Sequence, residues 1–233
     1  MEIYATKISD IIKEKVDELC LFVSLEKKHK IERFVYKKDK IRALIGELLI
    51  KTIITEKLGV ISKNIIFNKN EFGKPYLKDY QNFNFNISHS GDFVVCAIDD
   101  KPIGIDIEQV KHMEYEDIAK IFFLASEFEY IAKADLCSRI KKFYEIWTLK
   151  ESYIKCCGQG LSMPLKSFSI NMDRYENIKV VTNTKFNEFS LNLIYIDSDY
   201  KMAVCTTNET ISKEIIMIEQ NDLINNYLKF VLG

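Results

Sequence analysis

The segment "PIGIDIEQV" (Pro102–Val110) sets two acids, Asp106 and Glu108, among the isoleucines Ile103, Ile105 and Ile107. This alternation predicts a strand with both carboxylates on one face and the isoleucines on the other. Carboxylates one strand repeat apart repel, and both resist ionisation unless a positive charge lies between them. A hard divalent cation such as Mg2+ suits an all-oxygen pair and fills its octahedron with phosphate oxygens and water. A solvated acidic face on an edge strand competes with that chemistry and, for a generic pair, is the commoner outcome.

A second cluster follows in "FYEIWTLKESYIKCCGQGL" (Phe143–Leu161). Trp147, Glu151 and Lys155 stand at i, i+4 and i+8 along one side of a helix, with Lys150 beside them. Glu151 could supply a third oxygen ligand and Lys155 a phosphate contact; a surface Glu–Lys pair beside a core Trp is the alternative. In "FGKPYL" (72–77) the turn residues Gly73 and Pro75 would hold Lys74 on a fixed loop. In "FNISHSGDFVVCAI" (85–98), Ser88, His89 and Ser90 end a strand just before a Gly91-Asp92 hairpin turn. Hydroxyls, an imidazole and loop N–H groups there suit an anion such as phosphate. Adjacent Ser and His seldom face each other, which argues against a hydrolase pair. Lys27 and Lys30, at i and i+3 in "LEKKHKIERF" (25–34), read by themselves as a solvated basic face.

The elements that must position these groups are legible as periodicities. "MEIYATKI" predicts a strand, Asp10 a helix cap for a segment to about Phe22, and Ser24–Tyr36 a lysine-rich helix. From Asp39, apolar residues at 41, 44, 45, 48, 49 and 53 predict a helix closed by Gly59. Short strands are predicted near 64–67, 83–87, 93–98 and 103–108, a capping box at Ser126 and Glu129, and a long helix over 139–157 ending at Gly158. From 167 to 219 the chain reads as short strands. "ALIGELLIK" (43–51) aligns with "WTLKESYIK" (147–155), pairing Glu47 with Glu151 and Lys51 with Lys155. "FVVCAI" resembles "MAVCTT" downstream. Together these suggest a helix-then-hairpin unit used twice, with a boundary near Pro102.

Composition narrows the function classes. A formal net charge of −1 leaves no global electrostatic case for nucleic acid or an anionic membrane surface. Only four of the 33 basic residues are arginines, so phosphate contacts fall mainly to lysines. None of the six cysteines forms a C-x-x-C pair, which speaks against zinc and for reduced thiols in a cytoplasmic protein. The longest apolar run, "FVVCAI", is too short to span a bilayer.

In order and interval, G-K-P (73–75), I-S-H-S (87–90), G-I-D-I-E (104–108) and W-x-x-K-E-S-x-x-K (147–155) resemble the 4'-phosphopantetheinyl transferases of the surfactin-synthetase-activating type, from Met1 to about Cys205. The resemblance implies an α+β pseudo-dimer of two similar halves, 1–102 and 103–233, each a long helix packed on a small antiparallel sheet. It implies a monomer with its active site between the halves, binding coenzyme A with Mg2+ (Mn2+ as an alternative) on the diphosphate. The reaction would move the 4'-phosphopantetheine arm to a serine of an apo acyl or peptidyl carrier protein of a peptide or polyketide synthase, releasing 3',5'-ADP. Carried over by motif, Asp106, Glu108 and Glu151 are the metal ligands and Lys155 contacts the diphosphate. Gly73, Lys74, Pro75, Ser88 and His89 line the coenzyme site, with His89 on a phosphate. Lys27 and Lys30 meet the 3'-phosphate, and Arg42 is a further phosphate contact. Glu151 is the base candidate, acting directly or through a metal-bound water, with Lys155 as its catalytic partner. Ala43 stands where some relatives carry a hydroxyl residue near the adenine. Phe122 and Phe123 are candidates for the carrier's docking surface, with core packing the competing fate, and Glu127 is expected near the metal or Lys155. Two rivals use the same residues: a metal-dependent phosphohydrolase of coenzyme A or a nucleotide, and a non-catalytic coenzyme A-binding module.

Overall fold

The computed structural model describes residues 1–173, 177–182 and 188–232. The chain opens with β1 (Glu2–Lys7), α1 (Lys13–Leu19), α2 (Leu25–Arg33) and α3 (Lys37–Leu58). Then come β2 (Phe67–Lys69), β3 (Pro75–Leu77), β4 (Asn84–Ser90), β5 (Phe93–Asp99) and β6 (Ile103–Gln109). Next are α4 (Tyr115–Phe122), α5 (Ala125–Ala132) and α6 (Leu136–Cys157). The chain closes with β7 (Phe168–Met172), β8 (Ile178–Thr182), β9 (Ser190–Ile194), β10 (Tyr200–Thr206), β11 (Ile215–Met217) and α7 (Gln220–Leu232).

The fold is α+β and uses one arrangement twice: a strand, a 22-residue helix and a hairpin. In the first half β1, α3 and the β4–β5 hairpin give the order β1-β5-β4; in the second, β6, α6 and β9–β10 give β6-β10-β9. Both long helices stop at a glycine in the left-handed region, Gly59 (φ 66°) and Gly158 (φ 73°), which a side chain would strain. Counted back from these caps, Glu151 matches Thr52. The sequence alignment that paired it with Glu47 is therefore shifted by more than a helical turn.

Other boundaries depart from expectation for identifiable reasons. Asp10 caps nothing; α1 starts behind Ile12, and Asp10 instead pairs with Lys37 at 2.7 Å. Ser24 does cap α2, its Oγ accepting from the Lys27 N–H at 3.2 Å, but that helix ends at Arg33. α5 begins after Leu124, whose N–H donates to the Glu127 carboxylate at 2.8 Å, so Glu127 fills the role expected of Glu129. Residues 62–64 form a single 3-10 turn, and the strand there starts only at Phe67.

The segment after residue 214 returns to the first half. β11 pairs in parallel with β1 (Ile3 opposite Ile215), covering an edge whose N–H and C=O groups would otherwise be bare. α7 buries Leu223, Ile224 and Tyr227 in the core around α3, and the Tyr227 hydroxyl donates to the Phe22 carbonyl at 2.8 Å. Residues 103–233 are thus not one spatial half, and the first sheet is mixed rather than purely antiparallel.

The isoleucine face of β6 is buried as its alternation implied. Ile103, Ile105 and Ile107 meet Ile3, Ala5, Val95 and Ala97 of the first sheet in a core shared by both sheets. Along the other margin of this seam, side chains of β4 serve the N–H groups of β6. Asn86 Oδ1, Ser88 Oγ and Ser90 Oγ accept from Ile105, Ile107 and Gln109 at 2.8, 3.3 and 3.0 Å. No helix among the described residues is long and apolar enough to cross a membrane.

Candidate active site at the seam

Asp106 is buried, and a cation does lie beside it. Lys155 Nζ, one turn past Glu151 on α6, sits 2.6 Å from Asp106 Oδ1. Lys155 Nζ also donates to the Ile105 carbonyl at 3.2 Å and to Ser88 Oγ at 3.1 Å. Ser88 in turn donates to Asp106 Oδ1 at 2.9 Å. With the Ile107 N–H added, this hydroxyl uses its one proton and both lone pairs. Ser90 Oγ donates to Glu108 Oε2 at 2.8 Å.

Asp106 Oδ2 is buried with no partner. Burial, then the charge of Asp106, raises the Glu108 carboxyl above the usual range, opposed by Ser90 and Lys155. Glu151 is raised by the same two causes and lowered by Lys155. Three carboxylates thus feel one another across the seam, against a single lysine. Among the described residues no group of three His, Cys, Asp or Glu side chains is drawn together closely enough to hold a metal ion. Even so, the donor set is all oxygen, one oxygen stands open, and two acids are held reluctant to ionise. These properties fit a hard divalent cation.

Four more expected residues lie on the first-half side. His89 ends exposed beside the buried Ser88, and its imidazole is held below its ordinary value by desolvation and by the positive charges of Arg42, Lys155 and Lys27. That common field is what an anion site needs. Lys27 Nζ lies 3.5 Å from Glu47 Oε2, and Lys51 holds the other oxygen of Glu47 at 3.2 Å. Burial lowers the Lys27 pKa, with Lys30 and Lys51 adding to the shift and Glu47 opposing it. Lys30 is exposed on α2. Arg42 donates to the Gly91 carbonyl at 2.7 Å and pairs with Asp39, so its guanidinium grips the turn that carries His89.

Gly73, Lys74 and Pro75, expected to line the coenzyme site, lie on a loop packed against the end of α6. Lys74 Nζ points into the C-terminal end of α6 and donates to the carbonyls of Ile103 (2.9 Å), Lys155 (2.6 Å) and Cys156 (3.4 Å). Gly73 (φ 88°) and Pro75, the first residue of β3, are exposed beside it. Glu127 reaches neither Lys155 nor the acids. Its Oε1 pairs with Lys150 Nζ at 2.7 Å, both side chains fully buried. Phe123 is core at 3% exposure, whereas Phe122 stays 40% exposed with its ring edge on Trp147.

Sequence reasoning singled out neither Glu47 and Lys51 as a buried pair nor Tyr200. The Tyr200 hydroxyl accepts from the Asp92 N–H at 2.8 Å, so the second half steadies the turn of the first. Glu47 and Lys51 had one visible signal: charges inside an apolar stretch of α3 that leaves no exposed side at those positions.

Comparison with known proteins agrees along nearly the whole chain. A family described as the N-terminal part of 4'-phosphopantetheinyl transferase matches residues 12–101, and the 4'-phosphopantetheinyl transferase superfamily matches 102–205. The 4'-phosphopantetheinyl transferase Sfp of Bacillus subtilis is 35% identical over 225 residues, covering 96% of this chain and 100% of the relative. The 4'-phosphopantetheinyl transferase gsp of Aneurinibacillus migulanus is 36% identical, covering 88% of this chain and 86% of the relative. The L-aminoadipate-semialdehyde dehydrogenase-phosphopantetheinyl transferase of Mus musculus is 31% identical, covering 89% and 74%. With identity sustained from end to end, this chain belongs to the 4'-phosphopantetheinyl transferase family.

Proposed function

We propose that the chain moves the 4'-phosphopantetheine arm of coenzyme A to a serine of an apo acyl or peptidyl carrier protein. One observation carries this assignment. The Lys155 ammonium, the open oxygen of Asp106, Glu108 and Glu151 converge at the seam, beside the positive field around His89. Coenzyme A offers matching chemistry: a diphosphate for the seam and a 3'-phosphate for Lys27 and Lys30.

In this mechanism the serine Oγ attacks the phosphorus that bears pantetheine. The new O–P bond forms as the bond to 3',5'-ADP breaks, and Glu151 takes the hydroxyl proton. Glu151 stands on α6 one turn before Lys155, on the side that faces the seam acids. The incoming diphosphate draws Lys155 Nζ off Asp106, and Lys155 then offsets charge on the departing 3',5'-ADP. His89, neutral before binding, faces a phosphate from the same cationic margin. Asp106, Glu108 and Glu151 would hold Mg2+ (or Mn2+), which neutralises diphosphate charge and polarises the phosphoryl oxygens when bound. The cysteines are unpaired, Cys137 exposed among them, which suits the reducing cytoplasm proposed for this monomer.

The test mixes the protein with coenzyme A, Mg2+ and an apo carrier and reads carrier mass. The expected result is the phosphopantetheine increment on the carrier serine with 3',5'-ADP released alongside. Release of 3',5'-ADP without any carrier identifies a phosphohydrolase; tight binding with no product identifies a sensing module. Either outcome overturns the proposal.

A further inference from the structure

We propose that Lys74 is a positioning residue: its ammonium fixes the last turn of α6 against β6, and through that turn sets Glu151 and Lys155. This rests on the seam being the transfer site. An ammonium has three N–H donors, and here the carbonyls of Ile103, Lys155 and Cys156 take all three. Nothing is left on Nζ for a phosphate. The carbonyls of Lys155 and Cys156 lie in the last turn of α6, where no helical N–H serves them and where the helix is electronegative. The carbonyl of Ile103 opens β6, three residues before Asp106. One cation therefore ties together the two elements that carry the three seam acids.

The loop bearing Lys74 is built as a clasp. Asn70 Nδ2 donates to the Gly158 carbonyl at 2.8 Å, just past α6. Asn70 Oδ1 accepts from the Phe72 and Lys74 N–H groups at 3.0 and 2.8 Å. The Asn70 N–H closes the loop on the Lys74 carbonyl at 3.0 Å. What the clasp holds is sensitive to displacement. At Gly104 the α6 backbone lies directly on β6: an added Cβ would fall 2.0 Å from the Ser152 carbonyl oxygen and 2.4 Å from the Cys156 nitrogen. With no side chain spacing them there, the placement of α6 on β6 depends on whatever pins the end of the helix.

Steady-state kinetics of Lys74→Met and Asn70→Ala decide the matter. A misplacement of about 1 Å costs about 100-fold in rate, so kcat of Lys74→Met should fall about 100-fold while KM for coenzyme A stays within about threefold. Asn70→Ala, which keeps the ammonium, should lower kcat about tenfold in the same pattern. Lys74→Arg, which restores a cation to the carbonyls, should recover part of the loss. A KM for coenzyme A raised about tenfold with kcat intact would make Lys74 a coenzyme contact and overturn the inference. Unchanged kinetics in both variants would overturn it too. Should Lys74→Met not fold, Asn70→Ala decides alone: a kcat loss supports the clasp and an unchanged kcat refutes it. Failure of the wild-type chain to modify any carrier would sink the transfer reaction rather than the clasp. Hydrogen exchange of the Gly158 N–H, bonded to the Ile154 carbonyl at 3.0 Å, still reads the clasp and must quicken in Lys74→Met.

Discussion

Glu127→Ala tests whether the most deeply buried charge pair holds the second half together. Glu127 Oε1 lies 2.7 Å from Lys150 Nζ and accepts the Ile170 N–H at 2.8 Å, while Oε2 accepts the Leu124 N–H at 2.8 Å. Lys150 Nζ also donates to the carbonyls of Leu165 and Phe168, both at 2.9 Å, and sits 4.3 Å from the Phe168 ring centre. All three N–H donors of Lys150 and both oxygens of Glu127 are engaged, so α5, α6 and β7 share one polar knot in an apolar core. Removing the carboxylate strands a buried ammonium, which costs about 3–5 kcal/mol, and orphans two N–H groups at about 1–3 kcal/mol each where they cannot reach water. Because such losses overlap, about 4 kcal/mol or more is expected, a large part of a total of about 5–15 kcal/mol. Urea unfolding should show a lower midpoint, and the Glu127→Leu, Lys150→Met double variant should lose less than the sum of its single changes. A loss below about 1 kcal/mol in Glu127→Ala would refute the reasoning. Folded Glu127→Gln should keep its transfer rate; a collapse of kcat there would put Glu127 in the chemistry after all.

Further outcomes follow from the same geometry. Gly91→Ala places a Cβ 2.2 Å from the Tyr200 hydroxyl at φ 55°, so it should destabilise by about 2 kcal/mol or more, and Tyr200→Phe should restore only part of that on thermal melts. His89 has a folded pKa below its unfolded value of about 6.5. The unfolded chain therefore binds more protons, stability falls as pH drops through that value, and His89→Asn should flatten the fall between melts at pH 7.5 and pH 5. Glu108 and Glu151 are raised, so their protonated forms favour the fold at low pH and that contribution is lost as pH rises through their folded pKa values. Mg2+ at about 100 times its Kd should then stabilise the protein at neutral pH by about 2.7 kcal/mol and do little in acid. An equal shift in Asp106→Asn would remove Asp106 from the ion's site.

Local signals carried the long elements well. Gly59 and Gly158 mark helix ends because only an αL glycine closes them without strain, and Ser24 caps where it stands. Asp10 misled because a capping residue two positions early has no free helical N–H to serve. α7 was not read, although Leu223, Ile224, Tyr227, Leu228 and Val231 recur with helical spacing and pack into the core around α3. β11 falls within the run of short strands read from 167 to 219, but its parallel pairing with β1, more than two hundred residues away, leaves no local signal. Asp106, Glu108, Glu151 and Lys155 were singled out by residue type and order. That Lys155 rests on Asp106 while Lys74 rests on α6 depends on distances between remote segments, to which local periodicity is blind.

The seam explains why Ser88 and Ser90, rather than larger polar residues, flank His89. With period two they project together from β4 while His89 turns the other way. Each serine accepts one N–H of β6 and gives its proton to the acid beside that N–H: Ser88 to Asp106, Ser90 to Glu108. A short hydroxyl can do both because one donor and two lone pairs fit within a single strand spacing. The seam acids are thereby fixed by the same contacts that join the sheets, so loosening the seam and misplacing the carboxylates are one event. Ser88→Ala illustrates the consequence: it orphans the buried Ile107 N–H, removes a donor from Asp106 and leaves Lys155 as that oxygen's partner. Its effect on rate should therefore exceed that of Ser90→Ala, which lies outside the Lys155 contact.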